Sequence, residues 1–244
     1  MNGVGAVYRR ELASYFATPL AYVFIVIFLV LSGAFTFWLG GFYERGQADL
    51  APFFSFHPWL FLFLVPAVAM RLWAEERRSG SIELLLTLPV SPGTAVVAKF
   101  LAAWTFVALA LALTFPIWLT VNYLGSPDNG AILAAYVGSL ALSGGFLAIG
   151  GCLSAATRSQ VIAFILTVVV CFVLLLAGQP LVLDAFRGWA APALVDAVAS
   201  VSLLTHFQAI SRGVLDLRDV LYFATMIGAW LYATTLVLEL RKAD

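Results

Sequence analysis

Residues Pro19 to Tyr43 read "PLAYVFIVIFLVLSGAFTFWLGGFY", 25 positions without one ionisable Asp, Glu, Lys or Arg. About 20 apolar residues in helical conformation cross a bilayer, and a run apolar on every side has no half to show to water. The alternation of a barrel strand is absent, so the stretch reads as a membrane-spanning helix. It is also too long for the apolar region of a cleavable signal, and Glu11 stands among the basic residues before it, so it reads as an uncleaved first span.

Working outward, five more apolar runs have the same character: near Phe53–Trp73, Ala95–Leu124, Ile132–Ala156, Val161–Leu183 and Val220–Leu240. The whole chain is 63% hydrophobic and 11% charged, against about 25% charged residues in a soluble domain. The expected fold is all-α, one polytopic domain over residues 1–244 with six transmembrane helices. Arg9, Arg10, Arg71, Arg77, Arg78, Lys99, Arg158, Arg241 and Lys242 fall on one side of these spans; Arg45, Arg187, Arg212 and Arg218 fall on the other. The basic-residue bias places both termini in the cytoplasm. A net charge of zero divided in this way offers no basic face for nucleic acid.

Before the first span, Val4, Val7, Tyr8, Leu12, Tyr15 and Phe16 recur at helical spacing with Arg9, Arg10 and Glu11 between them. Residues 1–18 are thus expected to form an amphipathic interface helix on the inner membrane surface. Before the last span, within 184–219, Val195, Val198, Val201, Leu204, Phe207 and Ile210 recur at three-residue spacing. They predict short interfacial or re-entrant helices on the outer side, with Asp216 to Asp219 as an acidic cap for the last span. Ser32, Thr36 and Gly40 share one face of the first span, and Gly144, Ala148 and Cys152 one face of the fourth. Such stripes let helices approach closely, within the chain or between subunits.

Chemistry is sparse. No G-x-x-x-x-G-K-[ST] loop is present, so the chain has no phosphate cradle of that kind and no cofactor of its own is expected. His57, placed before Pro58, reads as a loop residue, and His206 as an interfacial one; neither has a ligand partner at metal spacing. The spans lack the ionisable relay of an ion-coupled transporter, and no acid, base and nucleophile cluster at one depth as an enzyme needs.

The densest charge lies on the cytoplasmic side between spans two and three. In "EERRSGSIELLLTLP", Glu75 to Pro89, five ionic residues fall within nine positions. Arg71 and Glu75 can pair across one helical turn. Gly80 breaks the helix, Ser81 can cap a new one, and Glu83 sits in its first turn, where negative charge suits the dipole. Pro89 limits that helix to Ile82–Leu88, a stub about 10 Å long. Ser91 and Pro92 then open the approach to the third span. An apolar stub flanked by charges needs a partner's groove or the lipid surface to cover it.

"LWAEERRSGSIELLLTLPVS", Leu72 to Ser91, resembles the E-x-x-x-G-[TS]-x-E-x-L-L signature of type-2 ATP-binding-cassette (ABC) exporter permeases. Glu76, Gly80, Ser81, Glu83, Leu85 and Leu86 stand at the matching positions. "LLTHFQAISRGVLDLRDVLYF", Leu203 to Phe223, is similar to the subgroup of gliding-motility and nitrous-oxide-reductase-maturation permeases. The resemblance implies a non-catalytic subunit of the bacterial inner membrane whose coupling helix, within 75–91, seats on a cytoplasmic ABC ATPase dimer that binds ATP and Mg. It also implies a second permease, a copy or a paralogue, as partner. Glu75, Glu76, Arg77, Arg78, Gly80, Ser81, Glu83, Leu84, Leu85 and Leu86 are the residues expected to transmit ATPase closure to the spans. Two functions fit: export driven by ATP hydrolysis, and mechanotransmission to an outer-side accessory protein without translocation. Membrane lipid surrounds the chain in both.

Overall fold

The computed structural model describes residues 3–80, 91–187 and 191–240. All regular structure among the described residues is helical. Helix α1 spans Gly3–Phe16, and Pro19 then opens α2, Pro19–Ala34, its missing N–H falling where no intrahelical acceptor exists. Helix α2 runs directly into a π-helical turn at Phe35–Leu39, where Thr36 donates to the Ser32 carbonyl at 2.6 Å. Helix α3, Ala51–Ala69, continues through both Pro58 and Pro66, as membrane helices can when neighbours satisfy the freed backbone groups. His57 therefore does not lie in a loop. It is fully buried inside α3, its Nδ1 2.7 Å from the Ser139 hydroxyl. That hydroxyl donates to the Ala135 carbonyl at 2.8 Å, so it must accept from Nδ1–H of His57.

After a turn at Met70–Trp73 comes α4, Ala74–Ser79, ended by Gly80 in the left-handed conformation (φ +74°). The stub expected at 82–88 lies outside the described residues, as do Ser81, Glu83, Leu84, Leu85 and Leu86. Ser91 caps α5, Pro92–Ala112, accepting from Thr94 N–H at 3.3 Å. The third span is not one straight helix: it turns at Leu113–Thr114 into α6, Phe115–Leu124, with Pro116 in the first turn. Helix α7 covers Asn129–Ala156 and α8 Gln160–Leu176. The short helices α9 (Pro180–Arg187), α10 (Pro192–Ser200) and α11 (Leu203–Ser211) precede α12, Leu217–Leu240.

Among the described residues, five helical segments have the length and apolarity to cross a membrane: Pro19–Leu39, Ala51–Ser79, Pro92–Leu124, Asn129–Ala156 and Leu217–Leu240. Helix α8, 17 residues, reaches the lower end of the usual range. Helices α10 and α11 are individually too short and meet at a 60° bend.

Helix α7 is the centre, with α3, α5, α8, α11 and α12 packed around it. Its small residues explain how. A Cβ on Gly150 would lie 2.4 Å from Cβ of Ala69 on α3, and one on Gly144 would lie 3.0 Å from the Trp104 indole on α5. Gly144, Ala148 and Cys152 are buried within this one chain, as are Ser32 and Thr36, while a Cβ on Gly40 would lie 2.7 Å from Pro52. Both stripes serve close packing inside the subunit; a subunit contact is not needed to cover them. The N-terminal half of α5 lies near the C-terminal half of α12, where Gly93 faces Thr235, so α1 and the end of α12 share one face of the bundle.

Candidate functional site

Helix α1 does more than lie on a surface. Tyr8 donates to the Thr105 hydroxyl at 3.1 Å, and the Tyr15 ring stacks on Phe106 with centroids 5.1 Å apart. Burial, and then the nearby Glu11 carboxylate, push the Tyr15 phenol well above its ordinary pKa, so it stays neutral. These contacts bring Glu11 over α5, where Lys99 points inward from an otherwise apolar helix.

Lys99 is 3% exposed and sits between three elements. Its Nζ donates to Oε1 of Glu76 at 2.7 Å and to the Leu72 carbonyl at 3.1 Å, and lies 3.3 Å from Oε2 of Glu11. The indole of Trp73 is 5.0 Å away, within cation–π range. An ammonium has three N–H groups, and three oxygens surround this one. A buried cation without partners would be prohibitively costly; with two carboxylates it becomes a strut. It joins α1 through Glu11, the turn after α3 through Leu72, and α4 through Glu76. Glu76 commits one oxygen to Lys99, while its buried Oε2 has no hydrogen-bond partner among the described residues. Glu11 is further held by Arg10, 2.8 Å away.

The turn between α3 and α4 is fixed from the opposite side by Ser154, near the end of α7. Its hydroxyl accepts from the N–H groups of Trp73 (3.1 Å) and Ala74 (3.0 Å) and donates to the Met70 carbonyl at 2.8 Å. One side chain thus satisfies the backbone groups that a broken helix would leave orphaned. Arg77 adds a guanidinium donor to the Ala155 carbonyl on the same helix end.

The described transmission candidates thus divide by direction. Glu76 and Arg77 turn toward the bundle; Glu75 and Arg78 are exposed, with Glu75 accepting from Arg71 at 3.0 Å; Gly80 closes α4 at the edge of the described residues. Lys99, Glu11, Trp73 and Ser154 are the members of the site that sequence reasoning did not single out. Lys99 gave a signal, being one of two lysines and lying within an apolar helix.

At the opposite face, His206 is likewise buried. Its Nδ1 is 2.5 Å from Oδ1 of Asp219 and its Nε2 is 3.0 Å from the Ser200 carbonyl. The ring of Tyr222 stacks on it at 3.9 Å, and the Tyr222 hydroxyl donates to the Val201 carbonyl at 2.5 Å. Asp216 caps α12, accepting from Arg218 N–H, whereas Asp219 turns inward to His206. This clasp fastens the bent α10–α11 pair to α12.

No curated protein matches the chain. A family profile described as ABC-2 family transporter protein matches residues 43–231, from just beyond the π-helical turn into the last span. That match covers most of the chain, including the α3–α4 turn, Lys99 and the His206 clasp; this integral membrane protein belongs to the ABC-2 transporter family.

Proposed function

We propose that the chain is the permease subunit of an ATP-driven exporter of the bacterial inner membrane, with both termini cytoplasmic. A separate cytoplasmic ABC ATPase dimer binds ATP and Mg, and a second permease, copy or paralogue, completes the membrane core. The observation that carries this reading is the buried Lys99, which ties α4 to α1 and α5 through Glu76 and Glu11. Residues 81–90, which carry the second part of the signature that begins at Glu76, connect α4 to α5. A push on that segment therefore reaches two spans and the interface helix together, instead of being absorbed by a loose loop. Ser154 extends the path to the central α7.

The residues assigned to transmission are Glu75, Glu76, Arg77, Arg78, Gly80, Ser81, Glu83, Leu84, Leu85 and Leu86, to which Lys99 and Glu11 are added. The similarity of Leu203–Phe223 to gliding-motility and nitrous-oxide-reductase-maturation permeases extends the proposal to that subgroup. In the second reading, hydrolysis drives an outer-side accessory protein and nothing crosses the bilayer; the bent pair α10–α11, exposing Leu194 and Val201 beside the His206 clasp, favours a docking platform there.

The test is co-purification of the chain with its ATPase, followed by reconstitution in proteoliposomes. Glu76→Gln and Lys99→Gln should leave the ATPase bound and active but uncouple hydrolysis from downstream activity. Wild-type coupling in both variants would remove the Lys99 network from the path. ATP-dependent movement of a labelled candidate substrate supports export; hydrolysis that alters only a bound outer-side protein supports the second reading.

A further inference from the structure

One cavity that no part of the transmission path uses lies on the face opposite α1. It has a volume of about 600 Å³, within the usual range for small-ligand sites, and is walled by the first turns of α3, the end of α8, the start of α9 and the inner side of α11. Its wall has two chemistries. Phe54, Trp59, Leu204 and Phe207 form an apolar floor and side, whereas Gln208, Ser211 and Arg212 project from the last turn of α11.

The charge is one-sided. Among the described residues, Arg212 is exposed and makes no ion pair, and no carboxylate lines the cavity. Asp49 and Asp128 line a separate cavity of about 80 Å³ that shares only Phe54 and Ser211 with it. They are already engaged: Asp49 is 3.3 Å from Arg45 and accepts from Ala51 N–H, and Asp128 accepts from the N–H groups of Gly130 and Ala131. The Ser211 hydroxyl donates to the Gln208 backbone carbonyl, and the exposed Gln208 side-chain amide makes no hydrogen bond among the described residues.

The cavity has exposed apolar side chains in its lining that suit a bilayer boundary. Trp59 is 38% exposed and Leu181 86% exposed at its rim, side chains that suit lipid and its head-group boundary better than bulk water. Meanwhile α11 is held in place from behind by His206, whose ring points the other way, toward Asp219 of α12. The polar turn of α11 is thus pre-positioned at the mouth of an aromatic slot.

We infer that this cavity binds an amphiphile with an anionic phosphodiester head group, drawn from the leaflet on that side, with Arg212 and Gln208 on the head and Phe54, Trp59 and Phe207 along the first part of its apolar body. A guanidinium beside amide and hydroxyl groups is suited to a phosphate, and the aromatic walls exclude a ligand that is head group alone. The inference rests on the membrane placement and is independent of whether ATP drives export.

The experiment uses the purified full chain in mild detergent, without its ATPase. It is incubated separately with phosphatidylglycerol, phosphatidylcholine and free glycerol 3-phosphate, and bound molecules are counted by native mass spectrometry. Phosphatidylglycerol should be retained over phosphatidylcholine by about tenfold, the scale of one charge-assisted contact. Arg212→Ala should erase that preference, Ser55→Trp should fill the slot and reduce retention of both lipids, and Arg218→Ala, outside the lining, should change neither. Equal retention of the two lipids would overturn the proposal, as would a preference that survives Arg212→Ala. Displacement of the lipid by equimolar glycerol 3-phosphate would also overturn it, since the site would then recognise a soluble anion and not an amphiphile. Size-exclusion profiles matching wild type keep the variant results interpretable, and the exposed Arg212 and Ser55 positions favour that outcome.

Discussion

Lys99 illustrates how much one buried charge can demand of its surroundings. In Lys99→Met the side-chain volume is nearly kept, yet Glu76 and Glu11 lose their counter-ion in a site that is mostly closed to water. Removing one partner of a buried pair typically costs about 3–5 kcal/mol. Lys99→Met should therefore lower the thermal midpoint of the purified chain markedly, whereas Lys99→Met combined with Glu76→Leu should recover much of the loss. A double-mutant cycle on thermal unfolding measures this; simple additivity would show that the two groups do not act as a pair. Ser154 poses a smaller, more local demand. Ser154→Ala leaves two buried N–H groups, of Trp73 and Ala74, without their acceptor, a loss of about 2 kcal/mol. Amide exchange should accelerate at those two residues and in α4 while α12 is unchanged. The sequence showed Lys99 as an isolated lysine but not its role, because Glu76 lies 23 positions away and Glu11 lies in another helix altogether. Local spacing carries no information about such a meeting. His57 misled for a different reason: a following proline usually marks a helix boundary, but in a membrane helix held by its neighbours the backbone continues through it.

Among the elements, the α10–α11 pair depends most visibly on a single contact set. Each helix has only nine residues, well below the length at which a helix holds itself, so tertiary contacts must supply its stability. His206 provides the anchor between Ser200 and Asp219, and Tyr222 closes over it. His206→Leu should release α11 and leave Asp219 buried without its partner. Cysteines placed at Val198 and Leu204 should then react with a water-soluble thiol reagent far faster than in the otherwise wild-type chain, while one at Asp128 reacts rapidly in both. Unchanged protection at Leu204 would show that apolar packing alone holds the pair. Three-residue apolar spacing made these helices legible in the sequence; the clasp was hidden because Asp219 resembled one more acidic cap residue. The amphipathic α1 was equally legible, but its docking against α5 through Tyr8 and Tyr15 was not, since a surface helix and a packed one share the same periodicity.

Across the whole molecule, the small residues of α7 set the distance between helices. Gly150 is the strictest, because the atom its side chain would meet is Cβ of Ala69, which no rotamer change can move. Gly150→Ala should push α3 from α7 next to the turn that Ser154 holds, with a cost of about 1–3 kcal/mol for overpacking. Gly228→Ala, with open space around the new methyl, should be neutral or slightly stabilising. Thermal midpoints of the two variants, compared in the same detergent, check the contrast. The helical type of the spans and the places of five of the six expected ones followed from apolar run length, a property of each segment alone. Their arrangement about α7 did not, because glycines that admit a neighbour look the same in a sequence as glycines that merely dilute a helix.

The Lys99 network also imposes an order in time. Glu11 and Glu76 leave the ribosome before Lys99, so α1 and α4 emerge with their charges unmatched and must wait for the start of the third span. Only when α5 has been synthesised and inserted can the interface helix dock, and the turn after α3 closes later still, when Ser154 of α7 follows. Biogenesis of this subunit thus passes through a two-span stage with an undocked N-terminal helix, and a chaperone or the insertion machinery has a defined interval in which to hold it. Nascent chains halted after residue 90 should expose α1 to added protease, and chains halted after residue 140 should protect it; equal exposure in both would place the docking at a later step.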